Sequence, residues 1–287
     1  MDQGTHRRHG LVLLALAIVF AAADPATAQE STTWESSTEL SFVATGGNAS
    51  SSTLGLKAGL TGTRAANVFK IELGGIRTSV DKTTRTATGT AASYTINETT
   101  ISETTAENYF AKARYDRKFS QAFVFAGAGW DRNTFAGIQN RYALVAGVGR
   151  AFVDGESGHF KADVGATYTI QKDVDPAPGA DEGFGGMRLT VDAARKLSET
   201  ADYTSALVVD ENLEETEDLR ADWTNSIAVA LSQKLALKTS FQLLFDNLPS
   251  LLGVPLVDGT GAPTGATVST PGDEVDTILT LTLVIKL

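Results

Sequence analysis

The sequence contains no cysteine, and this absence limits both how the chain is stabilised and what chemistry it carries. It also has only 7 prolines and 3 histidines among its 287 residues. Domains too small to build a core usually rely on disulfides. A cysteine-free chain must instead be held by an extensive hydrogen-bonded structure. Zinc and iron–sulfur sites built on thiolates are excluded, and we predict neither a metal site nor a cofactor.

Positive charge is also scarce in this chain. Lysine and arginine number 24 against 34 aspartates and glutamates, which gives a formal net charge of −10. Nucleic acids select basic surfaces, so the composition argues against a nucleic-acid partner. The hydrophobic content of 42% is ordinary for a folded protein, and we expect an ordered domain.

Long apolar runs are absent except near the start of the chain. There, Arg7-Arg8-His9 precedes an apolar run at residues 11–23, and the small residues Ala26-Thr27-Ala28 follow. This order is typical of a secretory signal peptide. The alternative is a membrane anchor, but the run is shorter than the ~20 residues that a spanning helix needs. We predict a signal peptide at 1–28 and one barrel domain at 29–287.

The rest of the chain alternates apolar and polar residues with period 2, which is typical of strands. In 235–246, for example, Leu235, Leu237 and Phe241 share one face. These segments are longer than the usual strand of a soluble protein and match the ~9–11 residues of a tilted membrane-spanning strand. We predict twelve strands, which begin near Glu39, Thr53, Asn67, Ala106, Ala122, Asn140, His159, Gly185, Tyr203, Leu219, Leu235 and Val275.

The connections between these strands alternate between short and longer ones. The short connections are 63–67, 118–121, 153–158, 197–201 and 232–234. The longer ones are 46–52, 80–105, 133–139, 173–183, 211–218 and 249–274. Short periplasmic turns, longer outer loops and an even strand number are typical of outer-membrane barrels. We therefore predict an all-β fold, a transmembrane antiparallel up-and-down β-barrel of about 12 strands, in contact with outer-membrane lipid and lipopolysaccharide.

A soluble sandwich or ligand-binding barrel is the alternative fold, with its apolar face turned inward. Against it, the polar faces carry charges that alternate with small residues, as a water-filled lumen would. The candidate lumen-lining residues are Lys70, Glu72, Lys112, Arg114, Asp116, Asp131, Arg141, Lys161, Asp163, Arg188, Asp192, Arg220, Asp222 and Lys238. They would either line a conduction path for ions or small solutes, or form a cross-barrel ion-pair network that fills the interior.

Three smaller features have a functional and a structural interpretation. His159 is the only histidine after residue 28 and would be the general base of a hydrolase, but no partner follows from its spacing, and we predict no catalytic residue. The acidic loop 210–218 would bind divalent cations, also between lipopolysaccharide phosphates, or would simply be a solvated loop, which we favour. Asp131 and Arg141 would form a structural pair, which we prefer, or contact a solute.

Several short motifs in this order resemble a known family. The motifs are Thr45-Gly-Gly-Asn48, Tyr115-Asp116, Asp131-Arg132, Gly137, Arg141, Gly147-x-Gly149, Asn247-Leu-Pro249 and Asp276-Thr277. Over residues 34–287 the chain resembles the salt-induced outer-membrane proteins, also called the domain of unknown function 481 family. The resemblance implies a Gram-negative outer-membrane barrel, inserted with the barrel-assembly machinery. It implies no established activity. Such barrels usually end in an aromatic residue, whereas this chain ends in Leu287.

The sequence therefore predicts an outer-membrane barrel that is a narrow diffusion channel or an envelope-maintenance protein linked to salt or osmotic conditions. The salt link comes from the family name alone. Two alternatives stay open: a non-conducting structural or adhesive barrel, and an outer-membrane hydrolase that uses His159.

Overall fold

A computed structural model describes residues 31–45, 50–90, 93–176 and 183–286 of the chain. The predicted signal peptide 1–28, residues 46–48 of the Thr45-Gly-Gly-Asn48 motif and Leu287 lie outside the described residues. Within these ranges, no helix has the length and apolarity needed to cross a membrane.

The described chain forms a closed antiparallel barrel of twelve strands, as the sequence predicts. The first ten barrel strands along the chain are β1 (Thr33–Thr45), β2 (Ser50–Arg64), β3 (Asn67–Thr90), β4 (Ser93–Phe119), β5 (Ala122–Asn133), β6 (Ile138–Gly155), β7 (Gly158–Asp173), β8 (Gly183–Lys196), β9 (Ala201–Asn212) and β10 (Leu219–Ala230). The other two are β11 (Leu235–Asp246) and β14 (Val275–Lys286), and between them lie β12 (Leu251–Val257) and β13 (Pro263–Pro271). Each barrel strand pairs with its neighbour along the barrel.

The last strand closes the barrel by pairing on both sides. β14 pairs with β11 along its length and with β1 through a short register that includes Leu40↔Leu283 and Glu39↔Val284. Closure leaves no row of unpaired backbone groups at a sheet edge, which a barrel surrounded by hydrocarbon requires. The five tight turns lie at one end of the barrel, here called the short-turn end, and the opposite end is the long-loop end.

β3 and β4 are much longer than the sequence predicts. The interval 80–105 was expected to be a loop, but β3 runs on to Thr90 and β4 starts at Ser93, so the two strands continue together beyond the rest of the barrel. The loop prediction is wrong because it relied on apolar alternation. This ribbon has no core to face, and its threonines favour extended backbone without any apolar stripe.

The predicted loop 249–274 is also partly a hairpin, formed by β12 and β13 as a separate two-stranded sheet. The interval contains four prolines, three of them in β12 and β13. Both strands of a two-stranded sheet are edges, where proline is tolerated. At the tip, Asp258 accepts hydrogen bonds from the Thr260 hydroxyl and the Ala262 amide. These bonds lower the pKa of the Asp258 carboxyl.

The barrel exposes its apolar side chains and buries charged ones. Leu279 and Phe42 are 74% and 66% exposed, whereas Asp163 is only 4% exposed. This is the reverse of a soluble barrel. Large aromatics lie on the exterior near both ends, with Trp34 towards the short-turn end and Tyr142 towards the long-loop end. An apolar exterior between aromatic girdles is typical of membrane-spanning barrels.

Candidate functional site

Two ion pairs that connect non-adjacent strands identify the interior of the barrel. Arg114 on β4 reaches Asp163 on β7 at 2.8 Å. Lys238 on β11 reaches Glu39 on β1 at 2.9 Å. Because other strands lie between each pair in the barrel wall, both contacts must cross the interior. The strand register then assigns every other residue of each strand to this inner face.

The register places the candidate residues from the sequence on this inner face. Arg114, for example, lies opposite Lys70 on β3, and Asp192 lies opposite Lys161 on β7. Their neighbours on the same strands in many cases are serine, threonine, glycine or alanine. Contact of these residues with a passing solute stays a prediction.

The largest group of interior contacts is the Arg114 cluster, made of Arg114, Asp116, Asp163, Phe123 and Phe125. Arg114 donates from Nε to Asp116 Oδ1 at 2.6 Å and from Nη2 to Asp163 Oδ2 at 2.8 Å. Its guanidinium carbon also lies 3.8 Å from the centre of the Phe125 ring. Charge-assisted hydrogen bonds and a cation–π contact therefore act on one side chain. The cluster occupies the lumen beside β4 to β7, nearer the short-turn end.

Glycines on β6 and β7 make room for the two phenylalanines of this cluster. Gly147 and Gly149 lie opposite Phe125 and Phe123 in the register, and Gly165 lies opposite Gly147 on the other side. A Cβ added at Gly149 would lie 2.2 Å from the Phe123 ring. The Gly147-x-Gly149 motif thus forms a stretch of the inner wall without side chains, called the glycine floor below, against which the two aromatic rings pack.

We expect Gly147→Ala to destabilise the barrel. The added Cβ would lie 2.1 Å from the Val164 carbonyl oxygen, which is backbone of the next strand and cannot move aside cheaply. Overpacking of this kind typically costs ~1–3 kcal/mol. Denaturant unfolding of the purified protein in detergent measures the loss. Gly155→Ala is the matched control, because nothing lies within 4 Å of its added Cβ; equal stability of the two variants would contradict the glycine-floor interpretation.

Phe123 and Phe125 are large interior residues that sequence reasoning missed. They are 6% and 2% exposed, although large apolar residues on the other strands mostly face outward. The sequence did contain a signal for them. Both residues occupy odd-numbered positions of β5 and therefore share the face of Asp131. That signal was overridden by the general rule that apolar residues face lipid.

A second ion cluster lies at the short-turn end. Asp192 Oδ1 contacts His159 Nε2 at 2.5 Å and Lys161 Nζ at 3.2 Å. Sequence spacing suggested no partner for His159, and the structure supplies one from the neighbouring strand. A carboxylate can orient a histidine as a general base, but catalysis also requires a nucleophile or substrate within reach of that histidine. The absence of catalysis stays a prediction.

A third group of charges lies near the long-loop end. Arg141 donates from Nε to Gln171 Oε1 at 2.6 Å, while Asp131 lies 4.0 Å away. The expected Asp131–Arg141 ion pair is therefore present, but Gln171 is the closer partner. On the opposite wall, Arg220 pairs with Asp218 and lies 3.7 Å from Asp246.

The segment 247–274, here called the lid, reaches across the long-loop end. Ser250 donates to Asp173 Oδ1 at 3.1 Å, and Asp173 ends β7. The lid connects β11 with β14, and three strands separate β11 from β7 in the wall. A Cβ added at Gly137, before β6, would lie 2.6 Å from the Ser250 Cβ. The start of the lid is therefore packed against the far wall.

The acidic loop 210–218 is only partly solvated. Asp210 receives two hydrogen bonds from Arg188, at 2.7 and 2.8 Å. Asp218 is 6% exposed and receives bonds from Asn212 and Arg220. The solvated-loop interpretation is thus wrong for both ends of this loop, because the neighbouring arginines hold these carboxylates. Among the residues that the structure describes, no group of three or more candidate ligands would hold a metal ion.

A cavity opens inside the barrel next to the Arg114 cluster, because its lining residue Lys70 lies directly opposite Arg114 in the β3–β4 register. This cavity of about 460 Å³ is bordered by β1, β2 and β3 and by the end of β14. Its lining includes Glu35, Ser37, Thr61, Lys70 and Glu72. The Arg114 cluster thus fills the lumen beside β4–β7, and open space remains next to it at β1–β3.

A closed antiparallel barrel with an apolar exterior and a charged interior defines the class of outer-membrane-type β-barrels. Within this class, the chain belongs to the family described as "Protein of unknown function, DUF481", whose pattern matches residues 38–254. No curated protein has a matching sequence.

The fold is similar to those of several solved outer-membrane barrels. The NanC porin has 9% identity and a TM-score of 0.46, with 89% of this chain and 100% of that chain covered. The anion-selective porin from Comamonas acidovorans has 10% identity and a TM-score of 0.39, with 90% and 100% covered. The translocator domain of the autotransporter NalP from Neisseria meningitidis has 11% identity and a TM-score of 0.38, with 97% and 95% covered.

Proposed function

We propose that this protein is a narrow diffusion path for ions or small polar solutes across the outer membrane of a Gram-negative cell. The observation that carries the proposal is the 460 Å³ cavity, which lies beside the Arg114 cluster inside the barrel. In this reading the short-turn end faces the periplasm, and outer-membrane lipid and lipopolysaccharide surround the apolar exterior. Insertion would use the barrel-assembly machinery.

The size of the barrel supports a narrow path. Eight strands enclose an interior that side chains fill, and sixteen or more leave an aqueous channel. Twelve strands lie between these limits, so the interior side chains decide how much space remains. Here the Arg114 cluster occupies the lumen beside β4–β7, while the small residues Ser37, Gly59 and Thr61 keep the wall at β1 and β2 clear.

The lid supports control of this path at the long-loop end. Hydrogen bonds from Ser250 to Asp173, from Gln171 to Ser250 and from Ser269 to Asp175 hold the lid to the end of β7. Each such bond contributes on the order of 0.5–3 kcal/mol, so this small set of polar contacts can break and re-form. Opening of the lid would expose Arg141 and Arg220 beneath it to the outer solution.

A non-conducting structural or adhesive barrel is the second candidate. It is favoured by the cross-lumen ion pairs Arg114–Asp163 and Lys238–Glu39, which stiffen the interior as a closed network would. A role in envelope maintenance under salt stress fits either candidate. Partly exposed ion pairs weaken as salt rises, because the Debye length falls from ~10 Å at 0.1 M to ~3 Å at 1 M.

Planar-bilayer recording of the purified full-length protein tests the proposed function. We expect reproducible small current steps, because the open side of the lumen is only partly filled. Liposome swelling with sugars of increasing size then gives the size limit, which we expect below that of a disaccharide. Heat-modifiable migration on a gel checks that the barrel is folded. Folded protein that stays silent in both assays would contradict the diffusion path and favour the structural barrel.

A further inference from the structure

Within the described residues Lys70 has no carboxylate partner, unlike most other lysines and arginines of the interior. Arg114, Lys161 and Lys238 each contact an aspartate or glutamate within 3.2 Å. In the part of the chain that the structure describes, no carboxylate lies within ion-pair distance of Lys70 or of Lys112. Lys112 instead lies 5.4 Å above the centre of the Phe110 ring.

These two lysines belong to a group of three around one carboxylate. Lys57 contacts Glu72 at 3.2 Å, and Lys112 lies directly opposite Glu72 in the β3–β4 register. Lys70 is on the same face of β3, two residues before Glu72. Lys57, Lys70 and Lys112 are called the lysine wall below. Glu39 also lies directly opposite Lys57, but it already contacts Lys238. Three ammonium groups therefore share Glu72, and the lysine wall carries surplus positive charge.

The other charges around Lys70 do not compensate it. They include Arg114 and Asp116 on the neighbouring strand β4, and Lys161 and Asp192 on the more distant strands β7 and β8. Asp192 already contacts Lys161 and His159, and Asp116 already accepts from Arg114. An ammonium group attracts small anions as a compact point charge with three donors. The positive electrostatic field of the Lys70 ammonium group is therefore available to an ion that diffuses through this part of the lumen.

We propose that the lumen holds a small-anion site at Lys70, and that Lys112 on the neighbouring strand adds positive charge beside it. The ligand class is a small oxyanion such as inorganic phosphate, and chloride would pass the same point more weakly bound. Lys70 borders the 460 Å³ cavity, so an ion that enters this space reaches its ammonium group directly. As a consequence the path prefers anions, and this consequence alone rests on the proposed function.

The net charge of −10 would suggest the opposite preference. However, many of the acidic residues lie away from the lysine wall: Glu214, Glu215 and Glu217 are exposed in the loop after β9. At physiological salt the Debye length is ~8 Å, so charges on distant loops are screened from the cavity. Local charge at the narrow part, not total charge, sets ion preference.

Reversal potentials in a potassium chloride gradient test the preference. Two variants are compared with the wild type: the single variant Lys70→Gln, and the double variant that adds Lys112→Gln. Lys82→Gln is the matched control, because Lys82 is exposed on the ribbon beyond the barrel. We expect the wild type and K82Q to favour chloride. From Coulomb attraction at a partly wet site, the double variant should lose at least about threefold in the chloride-to-potassium permeability ratio. A potassium-selective wild type, or an unchanged ratio in the double variant, would overturn the selectivity.

Calorimetric titration of the detergent-solubilised barrel with inorganic phosphate tests the site without any current. Wild type and K82Q should bind phosphate, and K70Q should not, while all variants keep heat-modifiable migration. Phosphate binding that survives K70Q, or that is absent in folded wild type, overturns the site. If phosphate binds to a barrel that carries no current, the anion site is supported and the diffusion path is rejected. If the barrel carries current but binds no phosphate, the diffusion path is supported and the anion site is rejected.

Discussion

Arg114→Gln is expected to destabilise the barrel and to widen its lumen. Arg114 is the common partner of Asp116 and Asp163, and the Asp163 side chain is only 2% exposed. Removal of one partner from a buried ion pair costs about 3–5 kcal/mol, because the remaining charge is left uncompensated. The shorter glutamine also no longer crosses from β4 to β7. We therefore expect a lower denaturant midpoint and larger current steps.

A compensated variant separates these two effects. Arg114→Gln combined with Asp116→Asn and Asp163→Asn removes the two carboxylates that the arginine neutralises. Replacement of a whole buried ionic group is often close to neutral for stability. We expect most of the stability to return, while the current steps stay larger than in the wild type. If the single variant does not fold, the triple variant still tests the lumen, and wild-type-sized steps in it would show that the Arg114 cluster does not limit the path.

A disulfide between Ser250→Cys and Asp173→Cys is expected to lock the lid and abolish conductance. Ser250 Oγ lies 3.1 Å from Asp173 Oδ1, so two thiols placed here lie within reach of each other after small backbone adjustments. Because the chain has no cysteine of its own, this pair is the sole disulfide that the variant can form within one molecule. Bilayer recordings should fall to the level of protein-free membrane under oxidising conditions and recover after reduction.

The control for the lid is a disulfide that does not attach it to the wall. Val254→Cys with Val268→Cys joins β12 to β13 inside the lid, where these residues are paired in register. This variant should conduct equally when oxidised and reduced. Loss of current in both oxidised variants would indicate a general effect of cross-linking, and current in an oxidised S250C/D173C barrel would show that the lid does not close the path.

Local pattern was enough to predict the barrel strands and their inner faces. Strands such as 235–246 repeat with period 2 because one face meets lipid and the other meets the interior. The same reasoning failed at 80–105 and at β12, where the strands face neither lipid nor a core. Without two different environments there is no alternation for the sequence to show.

The sequence by itself established the antiparallel twelve-strand barrel, because alternation and turn length are short-range properties that repeat along the chain. Only the tertiary structure showed which interior residues meet. Arg114 and Asp163 are far apart in sequence, and their contact depends on two intervening strands, on the Gly147 floor and on Phe125, whose ring lies against the Arg114 guanidinium. The lid likewise contacts β7 only because barrel closure brings the β11–β14 end opposite that strand. Contacts across the lumen depend on the curvature of the whole sheet, which no local pattern contains.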